Sequence, residues 1–289
     1  MMDIQPLERV ERLDKARFQA DFYKPQRPVV FSSFSADWPA RKLWDYDYMK
    51  KMAGEVPVNV FGDWTTNHPT KIGRTPLAKM PFAEYLQKIE QGPSDYRLFL
   101  FNLFRHKPEL RRDFNFPDII DRWVSSQPLL FFGGQGSDVR LHFDLDLSNV
   151  FLTQFSGEKK VILFAPDQSE ALYHQPFSSH SNVDLSNLDY DRFPAMRQAR
   201  GLECTLRHGD TVFIPSGFWH YIHYTTSGFS MALRALPQPW QQKMHALYNI
   251  TVMKSVDDVF SKLADEPWSR YKLNRAKVLA EKQFDSPPC

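Results

Sequence analysis

The sequence predicts a mainly β fold with flanking helices: a sandwich or barrel of short strands, followed by a C-terminal helical extension. Three observations predict it. Between residues 126 and 238, short runs of β-forming residues alternate with turn signals. Aromatic residues make up 15% of the chain, with 24 Phe against 12 Gly, and neither a GxGxxG nor a P-loop is present. That balance suits an aromatic-packed β core and gives glycine-loop nucleotide binding no support. Beyond residue 239, apolar residues recur at helical spacing.

The chain divides into three regions. The first, 1–125, reads as an α/β region that completes the barrel. Leu7, Val10, Leu13 and Phe18 form a rough helical stripe, and Pro28 to Phe31 is a short strand. Trp44 to Met52 and Phe82 to Ile89 read as amphipathic helices, since Phe82, Tyr85, Leu86 and Ile89 share one face. Val56, Val58 and Val60 alternate like a half-buried strand, and Tyr96 to Leu103 is rich in β-formers. The second region, 126–238, is the strand-rich core. Its strands are Leu129–Phe132, Val150–Phe155, Lys160–Phe164, Thr205–Arg207, Val212–Ile214, Tyr221–Tyr224 and Phe229–Leu236. Ser156-Gly157-Glu158 is a tight hairpin signal, and His208-Gly209-Asp210 another turn. A polar excursion, His174 to Gly201, reads as a loop over one face. The third region, 239–289, is helical; Pro267 should break it before a second helix, Arg270 to Lys282, and Ser286 to Cys289 should be a disordered tail.

Bulk properties exclude several classes. Lys and Arg total 36 and Asp and Glu 34, a net charge of +2, which argues against a nucleic-acid coat or a polybasic membrane binder. No apolar run approaches the roughly 18 residues of a membrane span, and polar Met1 to Val10 is no signal peptide. Two cysteines, Cys204 and Cys289, cannot build a disulfide framework, so a reducing cytoplasm is expected.

The chemistry is concentrated in two segments. In Leu141-His142-Phe143-Asp144, alternation along an extended stretch points His142 and Asp144 to the same face. An imidazole and a carboxylate are two parts of the 2-His-1-carboxylate triad, which leaves open positions on Fe(II). Alone, such a pair is common without any metal. The second segment, Gly209 to His220, supplies context: a turn Gly, a buried strand, Pro215-Ser216-Gly217 and then His220. Asp146, two residues beyond Asp144, competes with it as the carboxylate donor.

Residues 126–236 resemble the JmjC-type cupin-8 family, most of all its asparaginyl hydroxylases. The resemblance rests on Gln154 to Gln168, on Val183-Asp184 with Asn187 to Pro194, and on Gly209 to His220, which matches the second cupin motif. Pro28 to Val30 and Trp38-Pro39 extend it weakly toward the N-terminus. The resemblance implies a double-stranded β-helix, or jelly roll, and an oxygenase that uses Fe(II) and 2-oxoglutarate to hydroxylate a substrate C–H bond. It implies that His142, Asp144 and His220 hold the iron, and that Lys159 binds the far carboxylate of 2-oxoglutarate, with Lys160 on the opposite face. Asn149 would orient cosubstrate or substrate. The family's hydroxyl positions near the cosubstrate fall on Phe99 and Val139, which cannot donate. A downstream Asn position falls on Arg234, which either clamps a carboxylate or stands outward. His223 should be structural, with His174, His180 and His208 in or beside loops.

A protein or peptide side chain is the expected substrate, bound between loops His174–Gly201 and Arg105–Trp123. A tRNA base or small molecule is the alternative; near-zero charge disfavours nucleic acid, although Arg105 to Arg112 is a basic run. A second class of reading is a metal-binding cupin that binds a partner without oxidising it, motivated by Phe99 and Val139. The C-terminal helices either pair two subunits into a homodimer or pack back on their own chain.

Overall fold

Fourteen strands carry the fold in the computed structural model, which describes residues 1–62, 76–237 and 240–284. They are β1 (Asp3–Pro6), β2 (Arg9–Val10), β3 (Val29–Phe31), β4 (Pro57–Val60), β5 (Ala78–Pro81), β6 (Arg97–Phe101) and β7 (Leu129–Gly133). The rest are β8 (Asp138–His142), β9 (Asn149–Ser156), β10 (Lys159–Phe164), β11 (Arg200–Leu206), β12 (Thr211–Ile214), β13 (Trp219–Tyr224) and β14 (Gly228–Ala235). A five-stranded sheet runs β1-β11-β10-β13-β8 and a seven-stranded sheet runs β2-β3-β12-β9-β14-β7-β6. From β7 to β14 the strands alternate between the two sheets except that β10 and β11 are neighbours in the smaller one, which makes a jelly roll, and β4 and β5 pair apart as a two-stranded sheet.

Side-chain alternation sorts the core into three layers. Between the sheets lie Val150, Leu152, Val161, Leu163, Val212 and Ile214. On the outer face of the larger sheet, Phe151, Phe155, Phe213 and Phe229 pack against Phe18, Trp38, Trp44 and the helix Phe82–Glu90. Each fully buried ring contributes about 1.5–3 kcal/mol. On the outer face of the smaller sheet, Leu141, Ile162, Phe164 and Trp219 meet Leu172, Tyr173, Met196 and, from the last helix, Ala276 and Ala280. The helix Asp265–Phe284 therefore packs back on its own chain.

Three local expectations change. The stripe Leu7 to Phe18 is not one helix: β1 and β2 pair in parallel with β11 and β3, and helix begins only at Lys15, capped by Asp14. Edge pairing with preformed strands outweighs weak helical periodicity. Pro267 does not break the last helix. It sits in its first turn, where the missing N–H costs nothing. Arg105 to Trp123 does not line the cavity described below; Phe114, Phe116 and Trp123 pack into the aromatic layer instead. The expected tail, Ser286 to Cys289, and the boundary at residues 238 and 239 lie outside the described residues.

Candidate metal and cosubstrate site

Strand register builds the site. In the antiparallel pair β8–β13, His142 lies directly opposite His220, which brings their ring centroids to 4.1 Å. His142 ends β8, and Asp144 follows just past the strand, where Leu147 N–H donates to its carbonyl. Leu147 itself takes a left-handed φ of 48°, a strained conformation that holds the loop in a tight bend. The donor atoms of His142, Asp144 and His220 all lie within 4.8 Å of one another. The turn before His220 needs Gly217, whose φ is 74°.

The protonation pattern suits a metal. His142 Nδ1 lies 2.8 Å from the Arg140 carbonyl and His220 Nδ1 lies 3.2 Å from the Phe218 carbonyl. A carbonyl can only accept, so each Nδ1 is the N–H donor and each Nε2 keeps its lone pair for an ion. Burial, then the neighbouring His220, pushes the His142 imidazole down to about 3. Burial also lowers His220, so both rings are neutral ligands. Burial works to raise Asp144, but the charge of the Arg234 guanidinium and its hydrogen bond override it and hold the carboxyl below its usual value. Two neutral imidazoles and one carboxylate with an open face are the donor set of non-haem Fe(II) sites.

The three side chains face a cavity of about 330 Å³ between the sheets. His220, Ile222 and Tyr224 of β13, and Ser230, Ala232 and Arg234 of β14, present alternate residues to it. Away from the triad stands Lys159. It is 1% exposed, donates to Ser230 Oγ at 2.8 Å and sits 4.2 Å over the ring of its cross-strand neighbour Tyr224. Burial pushes its ammonium down to about 7. No carboxylate of the described residues lies within ion-pair distance of it. A buried cation without a counter-ion fits an anionic ligand. The hairpin that sets this register needs Gly157: at φ 69°, a Cβ there would fall 2.1 Å from the Ser227 carbonyl oxygen.

The other sequence-predicted residues divide. Arg234 faces inward, but its nitrogens bind Asp146 at 3.1 Å and Asp144 at 3.3 Å. Asp146 is outside the donor cluster. Asn149 does not line the cavity, because alternation along β9 turns it outward while Val150 and, two residues on, Leu152 turn in. Its Oδ1 instead accepts from Ser216 N–H at 3.1 Å and from Gln26. Phe99 and Val139 do line the cavity, and the hydroxyl at the lysine comes from Ser230. Sequence reasoning missed Ser230, although its four-residue spacing from Arg234 on one strand marks a shared face. It also missed that His180 of the long loop reaches the cavity and stacks 5.2 Å from His142. His223 points away and pairs with Asp138 at 2.8 Å.

A jelly roll with such a triad defines the class, and sequence comparison agrees. The cupin-like domain family profile matches residues 15–250, and the chain belongs to that family. Lysine-specific demethylase 8 of Danio rerio is 30% identical over 228 residues, covering 75% of this chain and 55% of that protein. Lysine-specific demethylase JMJ30 of Arabidopsis thaliana is 29% identical over 235 residues, 74% of this chain and 51% of that protein. tRNA wybutosine-synthesizing protein 5 of Homo sapiens is 24% identical over 239 residues, 75% of this chain and 73% of that protein. The chain spans about half the length of the two demethylases. Fe(II) and 2-oxoglutarate, which JmjC-type members use, fit the donor set and the cavity.

Proposed function

We propose that this chain is an Fe(II)- and 2-oxoglutarate-dependent oxygenase that hydroxylates a C–H bond, most readily of an amino-acid side chain in a protein or peptide. The observation that carries this is the buried amine of Lys159, with no carboxylate of the described residues at ion-pair distance, in the same cavity as His142, Asp144 and His220. When bound, Fe(II) with 2-oxoglutarate supplies the O₂-dependent oxidation. The residues of the chain do the rest. His142, Asp144 and His220 hold the ion on one face. Lys159 neutralises and orients the far carboxylate of 2-oxoglutarate through a charge-assisted bond. Ile214, Ile222 and Leu152 exclude water between them.

Exposed Leu100 and Ile250 mark the open end of the cavity, with Phe143 and Leu145 beside them. An apolar mouth suits a side chain better than a phosphate backbone, and the names of two relatives support a protein substrate. The 73% coverage of the tRNA-wybutosine relative keeps an RNA base as the second reading. No helix among the described residues is long and apolar enough to cross a membrane, and a cytoplasmic setting suits the free thiol of Cys204. The exposed apolar side chains Met244, Leu247, Val259, Phe260 and Leu263 support pairing of two subunits through the C-terminal helices.

The test is visible absorbance of the protein with Fe(II) and 2-oxoglutarate under argon. A weak metal-to-ligand charge-transfer band, lost in His142→Ala, is expected. Iron bound without that band would point to a cupin metal site that binds a partner or ligand and oxidises nothing.

A further inference from the structure

Asp144 and Asp146 lie on one loop and line the same cavity. Both are bound by a single guanidinium: Arg234 Nη2 donates to Asp144 Oδ2 and Nη1 donates to Asp146 Oδ2. The two carboxylates are therefore within one guanidinium's width of each other. Asp146 is further tied back by its own loop, since Ser148 N–H donates to Oδ1 at 3.2 Å and Ser148 Oγ–H donates to Oδ2 at 2.6 Å. Arg234 is 8% exposed and rises from the rigid strand β14, so the fork is held in place.

A carboxylate this close to a divalent ion is a ready further donor. An octahedral ion held by the triad alone has room for a two-point 2-oxo acid and for O₂; another protein donor would fill the place O₂ needs. We infer that Arg234 keeps Asp146 out of the coordination sphere and so preserves the open face of the three-donor site. Arg234 is a positioning residue: it acts on the ion through the two aspartates. The planar fork holds each carboxylate on its own nitrogen, at a fixed separation, whereas a lysine offers both a single nitrogen.

The inference rests on the metal-site reading above, and the sign of one measurement separates the two. The measurement is Co(II) affinity and visible absorbance of the full chain without 2-oxoglutarate, with thermal unfolding as a check on folding. An outer partner that merely orients a ligand loses about 10–100-fold in metal affinity when removed. Here Arg234→Met is expected to tighten Co(II) binding by about tenfold, because Asp146 joins the ion and a nearby positive charge is gone. The Co(II) bands should change in position and intensity as the donor number rises. Asp146→Asn in the Arg234→Met background should cancel both effects. Arg234→Lys keeps the charge and guards against a folding defect; it should tighten binding a few-fold, again cancelled by Asp146→Asn.

Weaker binding in both Arg234 variants, or a gain that survives Asp146→Asn, would overturn the inference while leaving the metal site intact. Wild-type protein whose Co(II) uptake is unaffected by His142→Ala would overturn the metal-site reading, and this inference with it.

Discussion

Replacing Lys159 by Met should change binding and stability in opposite directions. The ammonium is 1% exposed, and burial pushes it from 10.5 down to about 7. At pH 7, where the folded group is half-ionised, that fall costs the fold on the order of 4 kcal/mol. Against it stand the bond to Ser230 Oγ, about 1 kcal/mol net, and the contact with the Tyr224 ring, about 1–2 kcal/mol. Lys159→Met removes the cation, keeps most of the volume and leaves one hydroxyl unpaired. The ligand-free protein should gain about 1–2 kcal/mol, which raises Tm by about 2–6 °C. The same substitution strands a carboxylate of 2-oxoglutarate in an apolar pocket. Loss of the charge-assisted bond and the unpaired buried charge together exceed about 3 kcal/mol, so affinity should fall by 100-fold or more, to about that order. Calorimetric titration of 2-oxoglutarate into Mn(II)-loaded protein under argon measures the binding, and differential scanning calorimetry the stability. Affinity within about threefold of wild type would refute Lys159 as the anchor. A lowered Tm would refute the argument that the cation is held at the expense of stability.

The same lysine makes binding proton-linked. Its folded-state value lies below its unfolded one, so between pH 7 and 10 the ligand-free fold should gain stability as pH rises, and lose it as pH falls back through 7. Because 2-oxoglutarate needs the ammonium, its binding above pH 7 should take up a proton and weaken by about tenfold per pH unit; titrations in buffers of different ionisation enthalpy read this directly. His142→Ala should weaken Mn(II) binding by about 100-fold or more with Tm moved by only a few degrees, since the aromatic layers hold the sheets without the ion. Outright unfolding in circular dichroism would make the metal structural. Gly157→Ala meets both a positive φ and the Ser227 carbonyl, and should lose about 2 kcal/mol or more in urea unfolding. Leu263→Glu, at a site 79% exposed, tests the proposed pairing of subunits: light scattering should give a dimer for the wild type and a monomer for the variant, with Co(II) uptake unchanged.

The chain's linear order already carried much of the site. Alternation along a strand put His142 and Asp144 on one face from the sequence alone, while His220 and Lys159 were named through the resemblance to the JmjC-type cupins. The hairpin at Gly157 and the turn at Gly217 are local for the same reason, since a positive φ is a property of a single residue. A sandwich or barrel was legible because the strands are short, aromatic-rich and regularly punctuated, and the family resemblance narrowed it to a jelly roll.

What depended on partners distant in sequence was not legible. The segment Leu7 to Phe18 has weak periodicity of its own, and the free edges of β11 and β3 decided its form. Asn149 and Val150 are neighbours with equal local claims on the cavity; only the pairing of β9 between β12 and β14 turned one outward and the other in. Arg234 was open to two readings until the loop after β8 laid Asp144 and Asp146 against it. His180 joined the cavity through its bridge to His142, which a linear pattern cannot express, while Ser230 follows from Arg234 only once that residue is known to face inward. Periodicity and turn chemistry act over a few residues, and the sequence by itself determined whatever they govern: strands, turns and the shared face of His142 and Asp144. Register and the meeting of distant charges exist only when sheets close on each other, and these the tertiary structure decided.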